Sequence, residues 1–390
     1  MTYAWPLMKN TITWKDKWAL IKFIATSNKF TNGPKVKEFE AAWSKWLGSN
    51  HSLFVSSGST ANSLLIAAVK EKYGLKNGDK VLVPACTWVT NVGPIIQCGL
   101  QPIFCDINLS NYSFDIEHMK KIAIKHKDIK MIFVTHLLGY SADLESYKEI
   151  LPNALILEDI CESHGCRAPG GQRRGHDSIG ATFSFYFGHH MTTIEGGFVS
   201  TCDEELLDLM RIKRSHGLAR ELPADKFNAA KAQWPNVDPR FMFMTDGYNF
   251  RNTEIAAVLG LSQLKGLDRA IDTRNNNYSM FHSLLSKYSN NFHIPMIDQS
   301  VSSYAFPIVA KDPILASKLK AQLEKSGIET RPIVSGNLLL QPFLQNYKLQ
   351  PGSKMNIQIA HEHGVYVGNN HLIGKKEIDI LEAVLDSLMV

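Results

Sequence analysis

Ala154-Leu-Ile-Leu-Glu-Asp159 is an apolar run that ends abruptly on acidic residues. Lys80-Val-Leu-Val-Pro84, Gln101-Pro-Ile-Phe-Cys-Asp106 and Met131-Ile-Phe-Val-Thr135 have the same form, and each gives way to a polar or helix-starting segment. Short runs that are apolar throughout, rather than at every second residue, read as strands buried on both faces, the form taken in a parallel sheet covered by helices. The lysine-rich stretch from Glu117 to Lys127 reads as a helix leading into the strand at 131, as a right-handed crossover requires. The chain up to Glu254 is therefore expected to form an α/β domain.

Towards the C-terminus the texture changes. Residues 255–270 and 277–288 are apolar at helical spacing, Ser303-Tyr-Ala-Phe-Pro-Ile-Val309 reads as a strand, and Pro313 to Ser326 reads as a helix. These predict a smaller α+β domain over residues 255–390, after a large domain over residues 1–254. Residues 222–244 contain three prolines, several aromatics and little periodicity, and read as a long loop. Two domains suit the 390-residue length, because single cores rarely grow beyond ~250–300 residues.

Composition excludes several classes. With 44% hydrophobic and 20% charged residues, the chain has an ordinary globular make-up. The formal charge of +5 is scattered, and the densest stretch, Lys120 to Lys130, alternates with apolar residues as a solvated helix end does, so no nucleic-acid surface is expected. The first ten residues lack a signal-peptide pattern, and no apolar run approaches the ~18 residues that span a bilayer. A cytoplasmic protein without membrane contact is expected. The six cysteines (Cys86, Cys98, Cys105, Cys161, Cys166 and Cys202) form no CxxC pair, so neither a disulfide framework nor a zinc knuckle is indicated.

Several residues carry possible chemistry. Ser56-Ser-Gly-Ser-Thr-Ala-Asn62 lies between the strand Ser52 to Val55 and the helical run Leu64 to Val69. A helix start built of small residues offers free N–H groups and positive potential to a phosphate, although a plain N-cap explains the same residues. Trp88 follows the strand at 80–84, at the sheet end where ligands of open α/β folds bind. It is either a core tryptophan or a platform for a flat ring. Asp159 caps a helix in the simpler reading; opposite a pyridine nitrogen it would keep that nitrogen protonated and make the ring an electron sink.

The order of these motifs resembles the sugar aminotransferase family of the aspartate-aminotransferase fold (PLP-dependent transferase fold type I). The matching segments are Gly58-Ser-Thr-Ala61, Trp88, Glu158-Asp-Ile-Cys-Glu162, and Ser184-Phe-Tyr-Phe-Gly-His189 with Glu195-Gly-Gly197. Similarity continues through Arg214-Ser-His-Gly217, Gly247-Tyr-Asn-Phe-Arg251 and Arg331-Pro-Ile-Val-Ser-Gly-Asn337. The resemblance implies pyridoxal 5'-phosphate and pyridoxamine 5'-phosphate as cofactor forms. It places Gly58, Ser59 and Ser184 at the phosphate, Trp88 on the ring, Asp159 at the ring nitrogen and Glu162 near the 3-hydroxyl. Asn249 matches a residue that reaches the phosphate from the neighbouring subunit, which implies a homodimer with shared sites. His216, a second catalytic candidate, and Arg251 would lie near the substrate, and Arg220 and Arg331 are candidates for its pyrophosphate or the glutamate carboxylate, since arginine suits bidentate recognition of both.

One position departs from the family. His189 stands where the family carries the lysine that binds the cofactor covalently, and no lysine lies between Lys148 and Lys213. Imidazole cannot make that link but can move protons near neutral pH. A metal role is not expected for His189 and His190, since no Asp or Glu stands at zinc-site spacing, and the same holds for His361, Glu362 and His363. Within the family, histidine at this place marks the sugar 3-dehydratases. Those acting on CDP-sugars hold an iron–sulfur cluster through four cysteines, mostly downstream of the histidine; here only Cys202 follows, so no cluster and no metal are expected. The resemblance thus implies a glutamate-using 3-dehydratase of a nucleotide-linked 4-keto-6-deoxysugar, with GDP favoured and His189 as base. The alternatives are a nucleotide-sugar 4-aminotransferase and a non-catalytic binder of the same ligands.

Overall fold

The structure is a computed structural model that describes residues 3–389. Its main sheet has seven strands: β1 (His51–Val55), β2 (Lys80–Pro84), β3 (Gln101–Cys105), β4 (Ile129–Thr135), β5 (Leu155–Asp159), β6 (Gly180–Ser184) and β7 (Gly197–Thr201). Their order across the sheet is β1-β7-β6-β5-β4-β2-β3. All neighbouring pairs are parallel except those made by β7, which runs against both β1 and β6. The expected α/β class and the strands read from the apolar runs are found here.

Aromatic packing fixes the sheet behind the site. Trp43, on the helix Pro34–Leu47, stacks on Phe198 of β7 at 5.3 Å and meets Phe183 of β6 edge-on at 5.0 Å. All three side chains are fully buried, and burial of rings this size contributes ~1.5–3 kcal/mol each. The residue that follows Phe183 on β6 is Ser184, so this packing sets the height at which the strand ends.

A second sheet of four antiparallel strands follows: β8 (Phe292–His293), β9 (Ala305–Ala310), β10 (Thr330–Arg331) and β11 (Gly364–Gly368), in the order β10-β11-β9-β8. Helices Leu267–Ser286, Pro313–Lys325 and Lys375–Leu388 flank it, with Phe281 stacked on Phe306 at 4.6 Å. The N-terminal segment joins this layer rather than the large sheet. Trp5 is fully buried in its core and donates its indole N–H to the Gly368 carbonyl at 2.9 Å.

Two sequence expectations are corrected. Residues 222–244 are not loop throughout, because Ala224–Gln233 is a helix. Only Ala230 of that helix is buried, so it has no apolar stripe to reveal its period. The apolar run 255–270 is broken at Lys265-Gly266 into two helices, Glu254–Leu264 and Leu267–Ser286. No helix among the described residues is long and apolar enough to cross a membrane.

Candidate active site

The carboxyl ends of β1, β5 and β6 come together around a cavity of about 400 Å³. Pairing brings them into line: Val55 and Ser184 both face Gly197 across β7, and Asp159 faces Thr182. Eight of the expected residues line this one cavity: Gly58, Ser59, Trp88, Asp159, Glu162, Ser184, His189 and Arg331.

At one end lies the start of the helix Gly58–Lys72. Ser57 and Thr60 form a reciprocal capping box, the Ser57 hydroxyl accepting from the Thr60 N–H at 3.1 Å and the Thr60 hydroxyl accepting from the Ser57 N–H at 2.9 Å. The cap leaves the N–H groups of Gly58 and Ser59 pointing at the cavity end, where the helix dipole adds positive potential. Glycine is required at 58, since a Cβ there would sit 2.6 Å from the Ser184 Cβ.

Asp159 is only 4% exposed, yet its carboxylate is well supported. Oδ2 accepts from Asn62 Nδ2 and from Asn91 Nδ2, both at 2.9 Å, and Oδ1 accepts from the Cys161 N–H at 2.9 Å. The Thr182 hydroxyl donates to Asn62 Oδ1 at 2.6 Å and thereby fixes which way the amide points. Neither asparagine is marked in the sequence, beyond being an amide set in an apolar neighbourhood. Trp88, by contrast, leaves 54% of its surface exposed at the cavity edge, which rules out the core reading.

Glu162 accepts one bond at Oε2, from the Leu138 N–H at 2.9 Å. Burial, together with the charge of Asp159, pushes its carboxyl up to about 7.

His189 sits in the wall on the loop between β6 and β7, its ring 5.5 Å from that of Tyr304. No hydrogen bond holds either ring nitrogen among the described residues, and Nδ1 is buried without a partner. Burial lowers its pKa to about 3, and the charge of Arg274 acts in the same direction. The residue is half-buried, and both effects favour neutral imidazole. His190 has a different fate. It is buried, Nδ1 lies 3.3 Å from His164 Nδ1, and Nε2 meets the Ser302 carbonyl at 3.2 Å. The two adjacent histidines are thus divided between cavity and core. Gly188, just before them, also lines the cavity, and a Cβ there would strike the Met8 sulfur.

The remaining candidates lie elsewhere on the chain. Arg220, Asn249 and Arg251 line a separate groove with Lys29 and Asn32. Arg251 Nε donates to Asn249 Oδ1 at 3.1 Å, and its Nη2 lies 3.4 Å from His216 Nε2. None of these four contributes to the cavity walls within the same chain. Among the described residues, no group of three or more His, Cys, Asp or Glu side chains is arranged to hold a metal ion.

A helix N-terminus, a buttressed carboxylate, an exposed indole and a histidine thus line one cavity of an aminotransferase-type fold. The profile of the DegT/DnrJ/EryC1/StrS aminotransferase family matches residues 13–384, and the chain belongs to that family. It is 37% identical to the GDP-4-keto-6-deoxy-D-mannose 3-dehydratase of Yersinia pseudotuberculosis, over 96% of both chains. The structure of the E. coli GDP-4-keto-6-deoxy-D-mannose-3-dehydratase with bound hydrated PLP superposes with a TM-score of 0.90, at 31% identity, covering 99% of this chain and 100% of that one. A structure of GDP-4-keto-6-deoxymannose-3-dehydratase with a trapped PLP-glutamate geminal diamine superposes with a TM-score of 0.89, at 31% identity, covering 98% and 100%.

Proposed function

We propose that the chain is a pyridoxal phosphate-dependent lyase that uses glutamate to remove the 3-hydroxyl of GDP-4-keto-6-deoxymannose. The observation that carries this reading is a cavity lined, among the described residues, by no lysine and holding His189 in its wall. The residues present fit the cofactor. The free N–H groups of Gly58 and Ser59 and the hydroxyl of Ser184 would receive its phosphate, the Gly58–Ser184 contact leaving no room for a side chain at 58. Trp88 would cover the ring, Asp159 would pair with the ring nitrogen, and Glu162 would lie at its 3-hydroxyl side.

When bound, the cofactor supplies an electron sink for bond cleavage beside an amine taken from glutamate. His189, its ring neutral and free of hydrogen bonds, would serve as the base that takes up a proton at the cavity wall as the sugar's 3-hydroxyl leaves. Imidazole cannot make the covalent link to the cofactor that a lysine would, so His189 would act on protons alone. The products are GDP-4-keto-3,6-dideoxymannose, ammonia and 2-oxoglutarate. Arg331 is the cavity's arginine for the glutamate carboxylate. Such a product feeds the synthesis of 3,6-dideoxysugars such as colitose in lipopolysaccharide O-antigen, and we place the reaction in the cytoplasm.

A homodimer with shared sites accounts for the residues outside the cavity. Arg220, Asn249 and Arg251 line one groove, with His216 beside Arg251, and in this reading the groove of one subunit closes the cavity of the other. Asn249 then reaches the phosphate, and the arginines reach the nucleotide's pyrophosphate.

Product analysis with glutamate and GDP-4-keto-6-deoxymannose tests the function. Ammonia and a 3-deoxy product are expected. A stable 4-amino sugar that retains its 3-hydroxyl would make the chain an aminotransferase, and no conversion of glutamate to 2-oxoglutarate would make it a binder.

A further inference from the structure

Arg274 lies on the helix Leu267–Ser286 and is 1% exposed. All the hydrogen bonds of its guanidinium go to main-chain carbonyls: Nη2 donates to His189 O at 3.2 Å, while Nη1 donates to Tyr304 O at 3.2 Å and to Asn369 O. Nε has no partner. The three carbonyls belong to three walls of the cavity: the loop bearing His189, the entry to β9 and the exit of β11. Tyr304 is also the residue whose ring lies beside that of His189.

A neutral donor would serve to tie backbone segments together, and a buried cation without a counter-ion is costly. What the guanidinium adds is charge. The ring of His189 has Tyr186 of its own loop, His164 of the segment after β5 and Tyr304 of the small sheet as neighbours; His190 follows it in the chain, Glu162 and Tyr366 line the same cavity, and Arg274 binds its carbonyl. Of these, Arg274 acts together with burial to keep His189 unprotonated, and it pushes His164 and His190 the same way. A base must be unprotonated to work, and this one works inside a site that also receives an anionic phosphate, whose charge favours imidazolium.

We infer that Arg274 is a positioning residue for the base, its guanidinium clamping the His189 carbonyl to the two small-sheet walls and setting a fixed positive charge behind the imidazole. The inference rests on the reading of His189 as base.

The test is the titration of His189 by NMR in histidine-labelled enzyme without cofactor, its signal assigned by loss in H189N, together with the pH profile of kcat/KM in the loaded enzyme. In R274M the titration rises towards the ordinary imidazole value, and the acid limb of the profile rises with it. R274K keeps the charge but cannot fork to all the carbonyls, so its titration stays low while kcat falls and KM holds. An R274M that loses activity with the His189 titration unmoved makes Arg274 a structural staple and overturns the inference. If R274M does not fold, R274K decides alone, and wild-type kcat in R274K overturns the clamp. Dehydration at a normal rate by H189N removes the base reading instead, and leaves the R274M titration to be judged by itself.

Discussion

Asn62 and Asp159, 97 residues apart in the chain, meet through a 2.9 Å hydrogen bond that holds the carboxylate towards the cavity. Replacing the amide in Asn62→Leu removes one of two side-chain donors from a buried acid and takes an acceptor from Thr182. Loss of such buried partners costs ~1–3 kcal/mol. The variant should unfold at lower urea concentration and bind pyridoxal phosphate more weakly in absorbance titrations. Undiminished cofactor affinity in a destabilised variant would show that the pair supports the fold alone.

His189→Lys restores an amine at the wall. It should form a covalent bond with added pyridoxal phosphate, visible as a new absorption band that borohydride makes permanent, and dehydration should be lost. His189→Asn should bind the cofactor without that band and lower kcat by ~10²–10⁴-fold, the usual contribution of a general base. Normal turnover in either variant would move the base elsewhere.

Burial shifts the titration of Glu162 towards neutrality. Its carboxyl is raised to about 7, by burial first and then by Asp159, so the folded chain favours the protonated form. The associated stability is complete below the ordinary carboxyl value and is lost as pH rises through about 7. Glu162→Gln fixes the neutral form. Pyridoxal phosphate affinity measured from pH 6 to 8 should vary in the wild type and flatten in the variant; parallel curves would contradict the assignment.

The histidines act in the opposite direction. Burial holds His164, His189 and His190 below the ordinary imidazole value. The unfolded chain therefore binds protons that the folded one refuses, and stability rises with pH through the intervening window. It should be complete above ~6.5 and fall away as pH drops towards about 3, where His189 itself takes a proton. Urea unfolding midpoints across that range should decline less steeply in His190→Asn than in the wild type.

Shared sites predict complementation. His189→Asn and Asn249→Ala homodimers should each have low activity. After unfolding and refolding together, the mixture should gain activity, because a mixed dimer has one cavity with neither defect. Additive activities, with dimers proven by sedimentation, would place Asn249 at its own chain's cavity.

The strands were legible because each was an unbroken apolar run, and the motif order along them brought Gly58, Trp88, Asp159, Ser184 and His189 to one cavity. The helix Ala224–Gln233 was not, because it buries too little to display a period. Asn62, Asn91 and Arg274 were missed for another reason. Their importance comes from contacts such as Asn91 with Asp159 and Arg274 with His189, which span 68 and 85 residues and leave no local pattern. Trp5 escaped in the same way, since a single aromatic near a terminus says nothing of which sheet will receive it.

The missing side chain at Gly188 has a consequence for redesign. Any larger residue beside the base must first displace Met8, which arrives from the far end of the chain. A search for new reactions at this site that varies the loop around 188 therefore also moves the wall that Met8 forms. Libraries that vary residues 8 and 188 together control both sides of that contact.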